Sequence, residues 1–385
     1  MKRINSLLCL TLVFISSNAF AASEAIVELS PSPSFKSKDG RYSFKLGGYT
    51  QFDMANVSGI QTSDRGLVTG TRNARINLSG SIDNTWSFKL ENNFTQDGSV
   101  LNSAYISYNG FKPLTIQLGR FVHNTFMENS TGLRNITFLE TAYVSSFAVI
   151  PNNGINLTYA MRDGVASLGL ASAKVGNDRH KAIAGRITFA PVHTTNEAIH
   201  LGLSSSFTAP RNKPGISKYA IKPQFYFMNP LINVQLNDFA SSKVAGVEVG
   251  GSRGPLSAQA EYAINKVNRI GKKDSNLFAY YVQANYSLTG ENRPYNLASG
   301  TFNNPSPRTA FDLANKTWGA FEVAMRYNVL NMNHGSIKGG RISDYTLGLN
   351  WYPNSNIATS LAFTQASTIQ NKKPKILMLR TQLNM

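Results

Sequence analysis

The 385-residue chain carries 38 Lys and Arg against 21 Asp and Glu and a single cysteine, Cys9. One cysteine excludes internal disulfides, multi-cysteine zinc sites and dithiol chemistry together. The positive balance implies an anionic partner, whether nucleic acid, lipopolysaccharide or a small anion. The absence of arginine-rich runs and basic helices counts against nucleic acid.

At the N-terminus Lys2 and Arg3 precede an apolar run from Leu7 to Ile15 and then Ala19-Phe20-Ala21, the layout of a secretory signal peptide over 1–21. That run is too short to span a bilayer, and no later stretch supplies the roughly 18 uninterrupted apolar residues a helical span needs. Export also argues against a nucleic-acid partner. Taking 21 residues from 385 leaves about 364, and losing Lys2 and Arg3 leaves 36 basic residues against 21 acidic ones, a formal +15. With no linker or shift in composition to divide it, the remainder is expected to be one domain over 41–385, after a short flexible lead-in at 22–40 that holds Pro31 and Pro33.

Alternation begins at Tyr42. Tyr42, Phe44 and Leu46 share a face opposite Ser43 and Lys45; Ala74, Ile76 and Leu78 oppose Arg75, Asn77 and Ser79; Trp86, Phe88 and Leu90 oppose Ser87, Lys89 and Glu91 across the short turn Asp83-Asn84. Side chains on a strand alternate sides, so each of these segments has one oily and one polar face. The pattern recurs to the end of the chain, most clearly at Phe321, Val323, Met325, Tyr327 and Val329 against Glu322, Arg326 and Asn328. A soluble sandwich would bury the oily faces, whereas a transmembrane barrel would set them against lipid and aim the charges into a wet lumen. Export, size and the number of alternating segments favour the barrel: all-β, antiparallel, 16 strands with 18 possible, since bacterial barrels favour even numbers. Trp86, Trp318 and Trp351 suit interfacial girdles, and Leu377, Leu379, Leu383 and Met385 resemble a terminal barrel strand apart from the missing aromatic end. If that strand ends in the periplasm, the long connection 122–152 is extracellular and 290–316 periplasmic. Phe138, Leu139, Tyr143 and Phe147 make the first too oily for a solvated loop, so it is expected to fold into the barrel, and the second into the lumen mouth.

Three stretches carry a family resemblance: Ile116-Gln117-Leu118-Gly119-Arg120-Phe121 with Ile136-Thr137-Phe138-Leu139-Glu140; Leu288-Thr289-Gly290-Glu291-Asn292-Arg293-Pro294-Tyr295; and Gly319-Ala320-Phe321-Glu322 through Arg326-Tyr327 to Leu347-Gly348-Leu349-Asn350-Trp351-Tyr352. In order and spacing the chain resembles the phosphate-selective porin O and P family of Gram-negative outer membranes. The resemblance implies a 16-stranded homotrimeric barrel whose inward-folded segments narrow a lumen lined by arginines and lysines that pass phosphate or other small anions, with no cofactor. The family's Arg-Arg-Ala-Arg stretch appears here as Arg72-Asn73-Ala74-Arg75, one arginine short, which implies an anion pore of broader taste.

Parity puts Lys45, Arg75, Lys89, Arg186, Lys218, Lys222, Arg326 and Arg380 on polar faces as inward candidates for the anion pathway. A basic side chain on the lipid face near the midplane would cost roughly 2–4 kcal/mol. Arg120 and Arg134 flank or lie in the inward loop and join the candidates without a parity argument. Guanidinium forks match phosphate oxygens and stay charged, and several moderate sites let an ion step along where one strong site would trap it. The bland reading is that Asp53, Glu91 and Glu322, which share the inward parity, neutralise part of this set. The basic stretches Arg211 to Lys213 and Lys266 to Lys273 suit either lipopolysaccharide phosphates or an ion funnel.

Enzyme readings fail. Gly250-Gly251-Ser252-Arg253-Gly254 fits a nucleophile elbow in letters, but Pro255 and another strand follow where a helix is needed, so it reads as a glycine turn. The five histidines (His123, His180, His193, His200, His334) are scattered without metal-ligand spacing. A porin passing small anions, phosphate among them, is the expected function. The alternatives are a general porin with little selectivity and a plugged surface barrel that binds anions through its loops.

Overall fold

The computed structural model describes residues 25–28, 32–60, 64–95, 98–149, 152–175 and 178–385. The expected signal segment 1–21 lies outside the described residues. Sixteen antiparallel strands close into a barrel: β1 (Tyr42–Ser58), β2 (Gly66–Ile82), β3 (Trp86–Thr95), β4 (Gly98–Phe111), β5 (Leu114–Phe121), β6 (Asn152–Met161), β7 (Gly164–Val175), β8 (Asp178–His193), β9 (Glu197–Pro210), β10 (Ile232–Arg253), β11 (Leu256–Arg269), β12 (Ser275–Ser287), β13 (Ala320–His334), β14 (Ile337–Tyr352), β15 (Ile357–Thr368) and β16 (Lys375–Asn384). Each pairs with its neighbour in sequence, and β16 closes on β1 with Arg380 opposite Asp53 and Leu379 opposite Met54. Closure leaves no free edge, which a sheet in hydrocarbon cannot tolerate.

The choice of 16 over 18 turns on β10. Its 22 residues form one strand, but Phe239 and Ala240 are both buried and interrupt the alternation, so the sequence reads as two strands. A short strand, Gly215–Ile221, pairs with the first half of β10 on the edge that β9 takes along its second half, so it lengthens the wall rather than adding to the count. Gly250 to Arg253 also belong to β10, and the turn expected there is confined to Gly254 and Pro255.

Two further pieces sit beside the barrel. Within the 22–40 segment, expected to be a flexible lead-in, Ala25–Glu28 pairs with Ser34–Ser37, which in turn pairs with β1. Backbone pairing holds those residues where composition alone pointed to a free tail. The other piece is a small hairpin, Tyr295–Asn296 with Thr301–Phe302, inside the 290–316 connection.

The outer surface is an apolar belt. Leu203, Val247, Met325 and Leu347 are each more than half exposed, as lipid contact requires. The interior is unevenly filled. Residues 122–149 fold inward, with a single helical turn α1 (Met127–Thr131) and a 3-10 turn at Tyr143–Phe147. Phe126, Tyr143, Val144 and Phe147 pack on Leu236, Phe239, Leu277, Tyr281 and Leu330 of β10 to β13. Phe126 rests on Gly246, where any Cβ would overlap its ring. Residues 222–231 cross the loop end of the barrel, setting Phe225 and Met228 against Ala55, Val57, Ile376 and Met378 of β1 and β16. The 290–316 connection closes part of the opposite end, which carries the C-terminus, with Phe302 against Met127 and Ala198.

Candidate functional site

What remains open is a cavity of about 670 Å³ between the inner face of β1 to β6 and loop residues 129–135. Lys45, Arg75 and Lys89 reach it because odd residues of β1, β2 and β3 face inward there, and Arg134 reaches it from the loop opposite. Lys45 and Lys89 flank Ser79 in one row of the sheet. Arg75 lies four residues further along β2, about 13 Å at strand rise. The one acidic side chain beside them, Glu91, takes Lys89 Nζ at 2.8 Å and Arg75 Nη1 at 3.2 Å. Arg75 Nε also donates to Asn73 Oδ1 at 3.1 Å, and its guanidinium lies 5.3 Å from the centre of the Tyr49 ring. Arg134 is exposed, and no carboxylate among the described residues lies within salt-bridge range of it. It also lines a second cavity of about 380 Å³ at the terminus end, so its side chain borders both spaces. Four basic side chains against one acidic side chain and the C-terminal carboxylate of Met385 make this space electropositive, and Asn77, Asn124, Asn129, Asn135 and Gln117 supply neutral donors between them.

Arg186, Arg326 and Arg380 face inward but do not face this space. Arg380 is bidentate to Asp53 at 2.6 and 2.7 Å, reaches Glu140 at 3.1 Å and donates to the Leu139 carbonyl. Arg326 meets Glu128 at 3.2 Å, donates to the Glu140 carbonyl at 2.9 Å and lies 4.5 Å from the centre of the Phe138 ring. Arg186 grips Glu248 and donates to the carbonyls of Ser299 and Gly300 in the 290–316 connection. All three are at most 5% exposed, sealed beneath the segments they anchor. Lys222 opens the 222–231 segment, donates to the Tyr226 carbonyl and lies 4.5 Å from the centre of the Tyr226 ring, beside a separate cavity of about 230 Å³.

Two candidates lie elsewhere. Lys218 is on the short strand beside Tyr219, which is buried in the interior cluster, so alternation turns Lys218 outward. Arg120 pairs with Ala104 in the outward row that follows Leu118, and its Nε donates to the Leu101 carbonyl at 2.7 Å. Parity is undefined for a loop-flanking position, and a strand that runs through Phe121 places Arg120 on its outward face.

Arg72 is the residue that simple alternation misses. A bulge sets Gln51 opposite Asn73 and Phe52 opposite Thr71, leaving Arg72 unpaired and turned inward, where it is bidentate to Glu140 at 2.7 and 3.0 Å. A signal was available: the outward set passes from odd residues (Leu67, Thr69) to even ones (Ile76, Leu78) across this point.

Wall side chains also hold the loop backbone. Glu261 accepts from the N–H groups of Met127 and Glu128 at 2.9 and 2.7 Å, Tyr143 N donates to Asn328 Oδ1 at 3.1 Å, and Asn350 and Gln382 donate to the carbonyls of Thr137 and Arg134. Burial pushes the carboxyl groups of both Glu128 and Glu140 up. For Glu140, Arg72 and Arg380 outweigh burial and hold it below the usual range, whereas Glu128 stays raised despite Arg326. No group of metal-ligating side chains occurs among the described residues.

A family model described as phosphate-selective porin O and P matches residues 44–384. Porin O of Pseudomonas aeruginosa is 26% identical over 374 residues, covering 86% of this chain and 84% of that protein. Among solved structures, an anion-selective porin from Comamonas acidovorans superposes with TM-score 0.56 at 14% identity, over 89% of this chain and 100% of that one. The trimer form of OmpT from Vibrio cholerae superposes with TM-score 0.59 at 9% identity, over 89% of this chain and 99% of that one.

Proposed function

The chain belongs to the phosphate-selective porin O and P family, an outer-membrane β-barrel porin of the Gram-negative type, and on that premise we propose that it passes small inorganic anions, phosphate among them, by passive diffusion along the β1 to β6 wall. The observation that carries this reading is the cavity shared by Lys45, Arg75, Lys89 and Arg134 with Glu91 as the one acidic side chain among its lining residues. An anion entering so narrow a space loses part of its hydration, and fixed cations opposed across it replace that shell in steps. Arg186, Arg326 and Arg380 are positioning residues that shape the passage without lining it, and Arg120 and Lys218 are outside it. The loop end, with the longer connections 122–151 and 211–231, faces the exterior, and the end that carries the C-terminus, with its short turns and the inward-folded 290–316 connection, faces the periplasm. A homotrimer is the assembly this reading carries.

Reversal potentials in a KCl gradient across a planar bilayer test it. Arg75→Glu combined with Arg134→Glu shifts the wild-type anion preference toward cations. An unchanged potential would remove both residues from the pathway, and a wild type without conductance steps would mean a plugged barrel.

A further inference from the structure

Inside the barrel there is a space that the anion passage does not use. It is a cavity of about 250 Å³ at the loop end, between the inner face of β8 to β11 and residues 146–149 of the inward loop. It shares no lining residue with the cavity along β1 to β6, and its chemistry is different. No acidic residue lines it among the described residues, and its one basic residue, Lys218, turns its side chain outward. Phe147, Tyr219 and Phe239 give it aromatic walls, with the Phe147 and Tyr219 rings edge to face at 6.4 Å. The hydroxyl-bearing Thr208, Ser217 and Ser242 stand among them.

The buried polar groups on this lining fall into two kinds. Asn265 is satisfied within the wall: its Oδ1 accepts from Ser242 Oγ at 2.6 Å and its Nδ2 donates to Tyr219 Oη at 3.1 Å. Asn152, at the start of β6, and His180, on β8, are not. Each is 3% exposed, yet Asn152 Nδ2 and His180 Nε2 have no hydrogen-bond partner among the described residues. Asp178 Oδ2 stands 3.8 Å from His180 Nε2, too far for a hydrogen bond, and already accepts the Ile216 N–H at 2.8 Å. The His180 ring is held in place by Phe239, 10° from parallel with ring centres 5.5 Å apart. A buried polar group left unpaired is costly, and native walls seldom keep one without a use. Two on the lining of one small cavity are the pattern of a site whose ligand completes the bonds.

We propose that this cavity binds one neutral pyranose sugar, its C–H face against the aromatic walls and its hydroxyls bonded to Asn152 and His180. An anion is disfavoured, because no cation on this lining would offset its loss of water. A purely apolar guest would leave both nitrogens unpaired. A sugar hydroxyl both donates and accepts, so it answers the amide N–H and the imidazole nitrogen in either tautomer. Sites for drug-sized ligands run to about 300–1,000 Å³, so a smaller space suits a single ring. The inference does not depend on which ions the lumen passes.

Saturation-transfer NMR with glucose, galactose and mannose tests it, using purified protein in a detergent that has no sugar headgroup. Wild type transfers saturation to the ring protons of at least one of the three, and excess inorganic phosphate does not displace it. The double variant Asn152→Leu, His180→Phe binds that sugar on the order of tenfold or more weakly. Its melting temperature is no lower than that of wild type, since the groups removed have no partner to lose, and its reversal potential is unchanged. Ser217→Leu, which fills the cavity from the short strand and removes neither nitrogen, also abolishes binding. No transfer to any of the three sugars, equal binding by wild type and double variant, or displacement by inorganic phosphate would each overturn the assignment. So would a double variant that loses stability along with binding, because the two side chains would then be structural. A wild type without anion preference would leave it standing.

Discussion

The two sides of this barrel use arginine for opposite purposes. Along β1 to β6 the inner face stays wet, and Arg75 shares one carboxylate with Lys89 while its other side borders open space. Along β8 to β16 the same polar face is roofed by residues 122–149 and 290–316, and Arg186, Arg326 and Arg380 are spent on buried carboxylates and on main-chain carbonyls. Inward orientation is thus common to both sides, while access to a passing ion depends on whether a connection folds over the residue. Charge on a lumen wall is a poor guide to permeation until the loops have been placed.

Breaking a roofed pair should have the largest effect. Arg326→Ala strands Glu128 in an enclosed site, a loss of about 3–5 kcal/mol in loop docking. Proteolysis within 122–149 and broadened conductance steps report it, whereas Arg75→Ala leaves docking unchanged and moves ion preference. If both variants changed only selectivity, the distinction between the sides would be wrong. Next in size is Gly246→Leu, which drives a side chain into Phe126 and costs about 1–3 kcal/mol through overpacking. Its expected signature is smaller conductance, because the loop is displaced toward the open side and narrows it.

Acidification gives a smaller, reversible version. Glu140 is held below its ordinary value of 4.5, so its contribution to docking is present above that value and is lost as pH falls through the depressed one. Loop protection should therefore decline at strongly acid pH in wild type. Glu140→Gln, already lacking the charge, should be less protected at neutral pH and less sensitive to acid. A pH response of equal size in both proteins would assign the transition to another group. Smallest of all, Lys218→Gln and Arg120→Gln should leave reversal potential unaltered and stability within about 0.5 kcal/mol, as outward positions do.

Strand order, the outward apolar set and the inward folding of 122–149 were legible because each rests on local alternation or on oily residues with nowhere else to go. Two ambiguities came from irregular backbone. The bulge at Arg72 reverses parity within one strand, and the consecutive buried pair Phe239 and Ala240 makes one strand look like two. The sorting of cations into lining and anchoring sets was beyond local reading, because it depends on partners far apart in sequence: Arg380 with Asp53, Arg326 with Glu128 and Arg186 with Glu248. Asp53 and Glu91 were both visible as inward acids, yet only the fold shows that the first neutralises an arginine completely while the second is shared under solvent.

Wall residues grip the inward loop largely by its main chain: Gln51 and Gln382 donate to the carbonyls of Leu133 and Arg134, and Asn350 to that of Thr137. Carbonyl oxygens are the same whatever side chain a residue bears. Asn129, Ser130 and Arg134 can accordingly be exchanged by drift or by an engineer to suit a different solute, with the scaffold that presents them left undisturbed.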